Sequence, residues 1–142
     1  MTNRATSSNL LFIAWGLALI ATLSAIFIGE VMGQTPCVLC WYQRIAMFPL
    51  VVTLGVGIYL DDGRAPLYSL PLALGGLVVS SYHTTLFYGL VPETIQPCAA
   101  TGPSCSDAAM TVFGYLPLPV LALATFLSIT ILLALALRRP RP

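Results

Sequence analysis

The stretch LLFIAWGLALIATLSAIFI, residues 10–28, runs for 19 residues without a charge or a proline. At about 1.5 Å per residue it is long enough to cross a hydrocarbon layer about 30 Å thick. It also exceeds the apolar core of roughly 7–15 residues found in a cleaved signal peptide, and three more uncharged stretches follow it, so it is read as a retained first helix. Residues 45–60 form a second apolar run of 16, which takes Trp41 and Tyr42 as an interfacial start to reach spanning length. The third span lies within the uncharged residues 65–91, with its core after Pro71. The fourth covers residues 118–137 and is entered through Pro117 and Pro119, which suit a first turn because no intrahelical N–H bond is lost there. The expectation is an all-α integral membrane protein, a four-transmembrane-helix bundle forming one domain over residues 1–142, with helices at about 10–29, 42–60, 67–90 and 116–137 and cysteine-bearing loops at about 30–41 and 91–115.

Composition agrees with that reading. Of 142 residues, 58% are hydrophobic and 8% charged, against roughly 25% charged in a soluble domain. A net charge of +1 from six arginines, no lysine and five acids excludes a nucleic-acid footprint, which needs clustered positive charge. The same hydrophobicity excludes disorder. Four spans consume about 80 residues and leave no room for a second domain. No internal repeat or low-complexity tract is evident, although each of two loops holds two of the four cysteines.

Orientation follows from arginine. Arg4, Arg64, Arg138, Arg139 and Arg141 fall on one side of the four-span arrangement and Arg44 alone on the other. The positive-inside rule then puts both termini in the cytoplasm and all four cysteines outside, in the periplasm or extracellular space if the membrane is a bacterial cytoplasmic one, or in an equivalent oxidising compartment.

Cys37-Val38-Leu39-Cys40 is a CxxC, and Cys98 and Cys105 form a second pair with six residues between them. Four cysteines allow three pairings, and disulfides persist in an oxidising compartment. Two structural staples are one reading. Against it, a CxxC closes a very short ring, gains little loop entropy and is a common setting for thiolate exchange. A membrane bundle, moreover, has its helices enforced by the bilayer. A zinc site is a further alternative, but a CxxC joined to a Cx6C is not a usual zinc spacing.

Arg44 lies four residues after Cys40. If the second helix begins near the CxxC, its guanidinium sits one turn from that sulfur, where a cation favours thiolate and attracts an electron-rich acceptor. As a simple anchor it would snorkel to headgroups, yet it is the one basic residue on the side where the positive-inside rule disfavours it. His83, the only histidine, lies seven residues before Leu90, hence about 10 Å inside the outer end of helix 3. An ionisable group at that depth either bonds to a neighbouring helix or serves the function, donating to a ligand carbonyl or moving a proton. Glu30, at the end of helix 1, reads as an interfacial residue.

The run Pro36-Cys37-Val38-Leu39-Cys40-Trp41-Tyr42-Gln43-Arg44 before a short apolar helix resembles the signature of the DsbB family of quinone-dependent thiol oxidases, and its Cys-Trp-Tyr-Gln-Arg form resembles the shorter BdbC branch. The resemblance extends to Tyr82-His83-Thr84, to the pair Cys98 and Cys105, and to four spans with outward cysteines. It implies a membrane disulfide bond formation protein that reoxidises a DsbA-like thioredoxin-fold oxidase and passes the electrons to a membrane quinone, ubiquinone or menaquinone, in support of disulfide formation in exported proteins. By position, Cys98 matches the cysteine that forms the mixed disulfide with the partner, Cys105 its resolving mate, and Cys40 the sulfur beside the quinone, with Cys37 completing its pair. Arg44 and His83 match residues placed by the quinone. The departure is the second pair, which is separated by only six residues where the DsbB form has a longer segment.

Two other classes compete. A vitamin K epoxide reductase-like quinone reductase also places a CxxC at a quinone in a helical bundle, but there the CxxC follows later helices, whereas here it follows the first. A non-enzymatic membrane scaffold with structural disulfides would leave Cys37 and Cys40 inert.

Overall fold

The computed structural model describes residues 2–91, 111–112 and 114–138, with the side chains of 2–6 and 112 left aside. Four long helices are present: α1 (Thr2–Ile26), α2 (Val38–Tyr59), α3 (Ala65–Phe87) and α4 (Leu118–Leu137). Each is long and apolar enough to cross a membrane, as expected where no water is available to bond exposed backbone groups. A π-helical turn, Phe27–Val31, prolongs α1. A two-residue strand pair lies just before α4. In it Thr111–Val112 (β1) runs antiparallel to Leu116–Pro117 (β2), with Gly114 between them at φ 82.

The helices form a ring in which α1 packs on α2 and α4, and α3 packs on the same two. Leu11, Ala14 and Ala18 of α1, Leu50 and Leu54 of α2, Ala73 of α3 and Phe126, Ile129 and Leu133 of α4 make up the common core. In lipid the hydrophobic effect does not draw helices together, so close packing and interhelical hydrogen bonds must. Both are seen. The Phe126 ring fills the space a side chain at Gly76 would need. Trp15 Nε1 donates to the Val51 carbonyl at 3.1 Å, Ser69 Oγ to Thr53 Oγ1 at 3.2 Å, and Thr84 Oγ1 to the Pro119 carbonyl at 3.3 Å. Phe12, Ile13, Ile20, Leu23, Val52 and Val78 point outward, as a lipid-facing surface requires.

Helix 2 starts at Val38, earlier than the position near 42 expected from the apolar run. The cause is local. Cys37 has extended backbone angles and its Sγ accepts from the Cys40 N–H at 3.2 Å, so it caps the helix. Cys40 therefore belongs to the first helical turn and not to the loop. Helix 1 begins at Thr2, upstream of the uncharged run, and ends in the π turn. At the opposite end of the bundle α2 turns into α3 through Asp61 at φ 51 and Asp62, whose Oδ1 accepts from the Arg64 N–H at 2.9 Å. Asp tolerates the left-handed region better than most residues.

Candidate active site

The CxxC sits where α2 begins, facing α3 on one side and a cavity on the other. Cys37 is 1% exposed and packs with Leu39 of α2 and Leu86 of α3, while Cys40 is half-buried. Both are thiols, with their sulfurs 2.9 Å apart and hydrogen-bonded to each other. Cys37 Sγ is hydrogen-bonded to Cys40 Sγ, accepts from the Cys40 backbone N–H at 3.2 Å and stands 3.8 Å from Nε2 of His83. The hydrogen bonding between the two sulfurs pulls the Cys37 thiol well below its ordinary pKa; burial opposes this, and His83 adds to the lowering.

His83 is fully buried on α3, and its other nitrogen, Nδ1, lies 3.1 Å from Nε2 of Gln43. Gln43, at 9% exposure, is a buried amide in a membrane helix and so needs a partner. It is one helical turn past Cys40, and the pairing binds α2 to α3 beside the cysteines.

A cavity of about 1050 Å³ opens on the other face, between the α1 end that carries the π turn, the start of α2 and the start of α4. Its wall is mostly apolar, with Leu17, Phe27, Ile28, Leu118 and Phe126 among the lining residues, and Cys40, Gln43 and Arg44 bring sulfur, amide and guanidinium to it. Neither Cys37 nor His83 lines it. Arg44 is half-buried and held on three sides. Its Nη2 donates to the Ala25 carbonyl at 2.7 Å, its guanidinium stands 5.3 Å from the Trp41 ring centroid, and it packs on Gly29. A Cβ at Gly29 would come within 2.9 Å of Nη2, so glycine there leaves room for the cation.

The structure draws Cys37, Cys40, Arg44 and His83 into one region; Arg44 is on the cavity side, whereas His83, expected with Arg44 beside the quinone, lies on the far side of the cysteine pair and does not line the cavity. Cys98 and Cys105 lie outside the described residues. Gln43 and Gly29 were given no role from sequence. The signal for Gln43 was present, since an uncharged amide within an apolar helix must be satisfied by something, while Gly29 carries no signal without its neighbour. The two sulfurs and His83 Nε2 lie within 4.8 Å of one another. A closed structural zinc site takes four ligands, and no fourth joins them among the described residues.

The cavity suits a flat, largely apolar ring with polar edges: its wall is mostly apolar, and it holds a fixed donor in Arg44 beside a sulfur.

Residues 7–136 match the family described as disulfide bond formation protein DsbB. A "Probable disulfide formation protein" of Metapseudomonas resinovorans is 57% identical over 134 residues, covering 94% of this chain and 93% of its own. A "Probable disulfide formation protein C 2" of Bacillus anthracis is 40% identical over 121 residues, 85% of each chain. "Disulfide bond formation protein C" of Bacillus subtilis is 39% identical over 127 residues, 88% of this chain and 90% of its own. No solved structure matches the chain.

Proposed function

This chain belongs to the DsbB family of disulfide bond formation proteins, and from that premise we propose that it is the quinone-coupled member of an oxidising relay. A reduced DsbA-like thioredoxin-fold oxidase gives two electrons to Cys98 and Cys105. They pass to Cys37 and Cys40 and leave for the membrane quinone pool. The exchanges between cysteine pairs need no metal, because each is thiolate attack on a disulfide; in the last step the Cys37–Cys40 dithiol would close to a disulfide as the quinone takes up its two electrons and two protons.

The observation that carries this reading is the division of labour at the CxxC. Cys40 lies on the wall of the cavity with Arg44, while Cys37 is buried away from it. Bound in the cavity, a quinone supplies a two-electron sink. Arg44 would hold its electron-rich edge, and the apolar wall would exclude water. Cys37, kept as the more acidic thiol, is the sulfur ready to form or break the bond to Cys40. His83 acts on that sulfur from behind.

Quinone consumption by purified protein, given a reduced thioredoxin-fold donor, tests the reading. Turnover is expected in the unsubstituted chain and none in Cys40→Ser, with membrane insertion unchanged; turnover that persists in the variant overturns it. The orientation belongs to the same proposal, both termini being cytoplasmic and the cysteine loops periplasmic or extracellular. A membrane-impermeant thiol reagent should reach Cys98 and Cys105 in intact cells, and labelling only after lysis would reverse the orientation.

A further inference from the structure

Gln43 has no part in the electron path, yet its placement is specific. Its amide touches the only histidine of the chain, and that histidine touches Cys37. A neutral imidazole carries a proton on one nitrogen and a lone pair on the other, so whatever faces Nδ1 decides what Nε2 can do. Here the amide N–H of Gln43 faces Nδ1 at 3.1 Å. Nδ1 then accepts, the ring proton stays on Nε2, and that N–H is aimed at Cys37 Sγ 3.8 Å away.

We propose that Gln43 is a positioning residue that fixes His83 as its Nε2–H tautomer, so that His83 donates to Cys37 Sγ and Cys37 is the sulfur of the pair held as thiolate. This rests on the reading of Cys37 and Cys40 as the redox pair. The surroundings leave His83 as the group for the task. On α2 the other ionisable side chains are Cys40, already bonded to Cys37, Arg44, turned toward Ala25 on α1, and Tyr42 and Tyr59, both exposed. On α3, Tyr82 packs on the Cys37 cluster. Glu30, the charge in the π turn, is exposed. An amide is the side chain that can offer a donor to Nδ1 in this place; a carboxylate of the same shape can only accept, and would draw the proton to Nδ1.

Because His83 is the only histidine, histidine labelled with nitrogen-15 reports on it alone when the protein is purified through a histidine-free tag. In the reduced protein with Cys98 and Cys105 replaced by Ser, the nitrogen shifts should show Nε2–H. Gln43→Glu should move the proton to Nδ1. Gln43→Leu should leave the tautomers mixed and raise the midpoint of thiolate formation, followed by ultraviolet absorbance, by about one pH unit, the size of losing one hydrogen bond to the charged form. An Nδ1–H ring in the unsubstituted chain, a tautomer that ignores Gln43→Glu, or a midpoint that ignores Gln43→Leu each overturns the proposal. None of these readouts involves quinone, so a failure of quinone turnover would strike the functional reading and leave this one standing.

Discussion

Arg44 donates from Nη2 to the carbonyl of Ala25 at 2.7 Å, which ties the one basic side chain of α2 to α1 just before that helix passes into its π turn. Wide turns of this kind are frequent at functional sites because they break the regular bonding ladder of a helix. The consequence here is an arginine whose reach is fixed by another helix and not by headgroups. Its fork is oriented from behind by backbone, over Trp41, toward the cavity that Cys40 shares. A merely snorkelling side chain would have no such restraint.

Arg44→Lys keeps the charge and loses the planar fork and its stacking. We expect the apparent KM for quinone to rise roughly tenfold, the equivalent of one charge-assisted hydrogen bond, while exchange between the two cysteine pairs continues. Steady-state kinetics with varied quinone checks this, and an unchanged KM would reduce Arg44 to an anchor.

Gly29→Ala should reproduce much of that defect without touching Arg44. Its Cβ would crowd Nη2 at 2.9 Å, and since the crowded atom is the end of a flexible side chain the guanidinium moves and the fold survives. Combining it with Arg44→Lys should add little, because both act on one contact. Gly16→Ala, with nothing within 4 Å of the added atom, is the control and should leave KM unaltered. Full additivity of Gly29→Ala and Arg44→Lys would show that they act separately.

How much of this was legible beforehand depends on what lipid does to sequence. The positions of α3 and α4 follow from where charge is absent, and the structure places them at Ala65–Phe87 and Leu118–Leu137. The start of α2 was misjudged because the apolar run ignores Cys37, an unusual helix cap whose sulfur takes the Cys40 N–H. The positions of His83 and Arg44 along their helices are readable by counting residues. Their rotation is not. A helix apolar on all sides has no polar face to orient it, so nothing in the sequence told that Arg44 would face the cavity and His83 the reverse of the cysteine pair, or that Gln43 would join them.

The lowered Cys37 thiol has a signature in the redox potential. Above its folded pKa the reduced pair carries one proton between two sulfurs, so forming the disulfide releases one proton with two electrons. With Cys98 and Cys105 replaced by Ser, the potential of the Cys37–Cys40 couple should fall by about 30 mV per pH unit across the neutral range, and steepen to about 59 mV as pH drops below that pKa and both thiols hold protons. The sign follows from the direction of the shift: a depressed thiol loses its proton early, and the thiolate form is withdrawn only as pH falls through the depressed value. Equilibration with glutathione buffers at several pH values measures it; the steeper slope throughout would mean that Cys37 is an ordinary thiol.

The burial of Cys37 also bears on how a protein partner can be served. At 1% exposure, between α2 and α3, it offers no sulfur to a thioredoxin-fold surface, and Cys40 opens on a cavity walled by helices. On the proposed reading, Cys98 and Cys105 carry that exchange. In the sequence only six residues separate Cys98 from Cys105. Removing Cys105 deletes the resolving thiol, so in Cys105→Ala a mixed disulfide between Cys98 and a DsbA-like protein should accumulate. A non-reducing gel would show it as a partner-sized shift that disappears when Cys98 is replaced as well. A shift that survives the second replacement would hand the partner-facing role to Cys37 or Cys40, and would require the buried pair to open in a way its packing against Leu39 and Leu86 opposes.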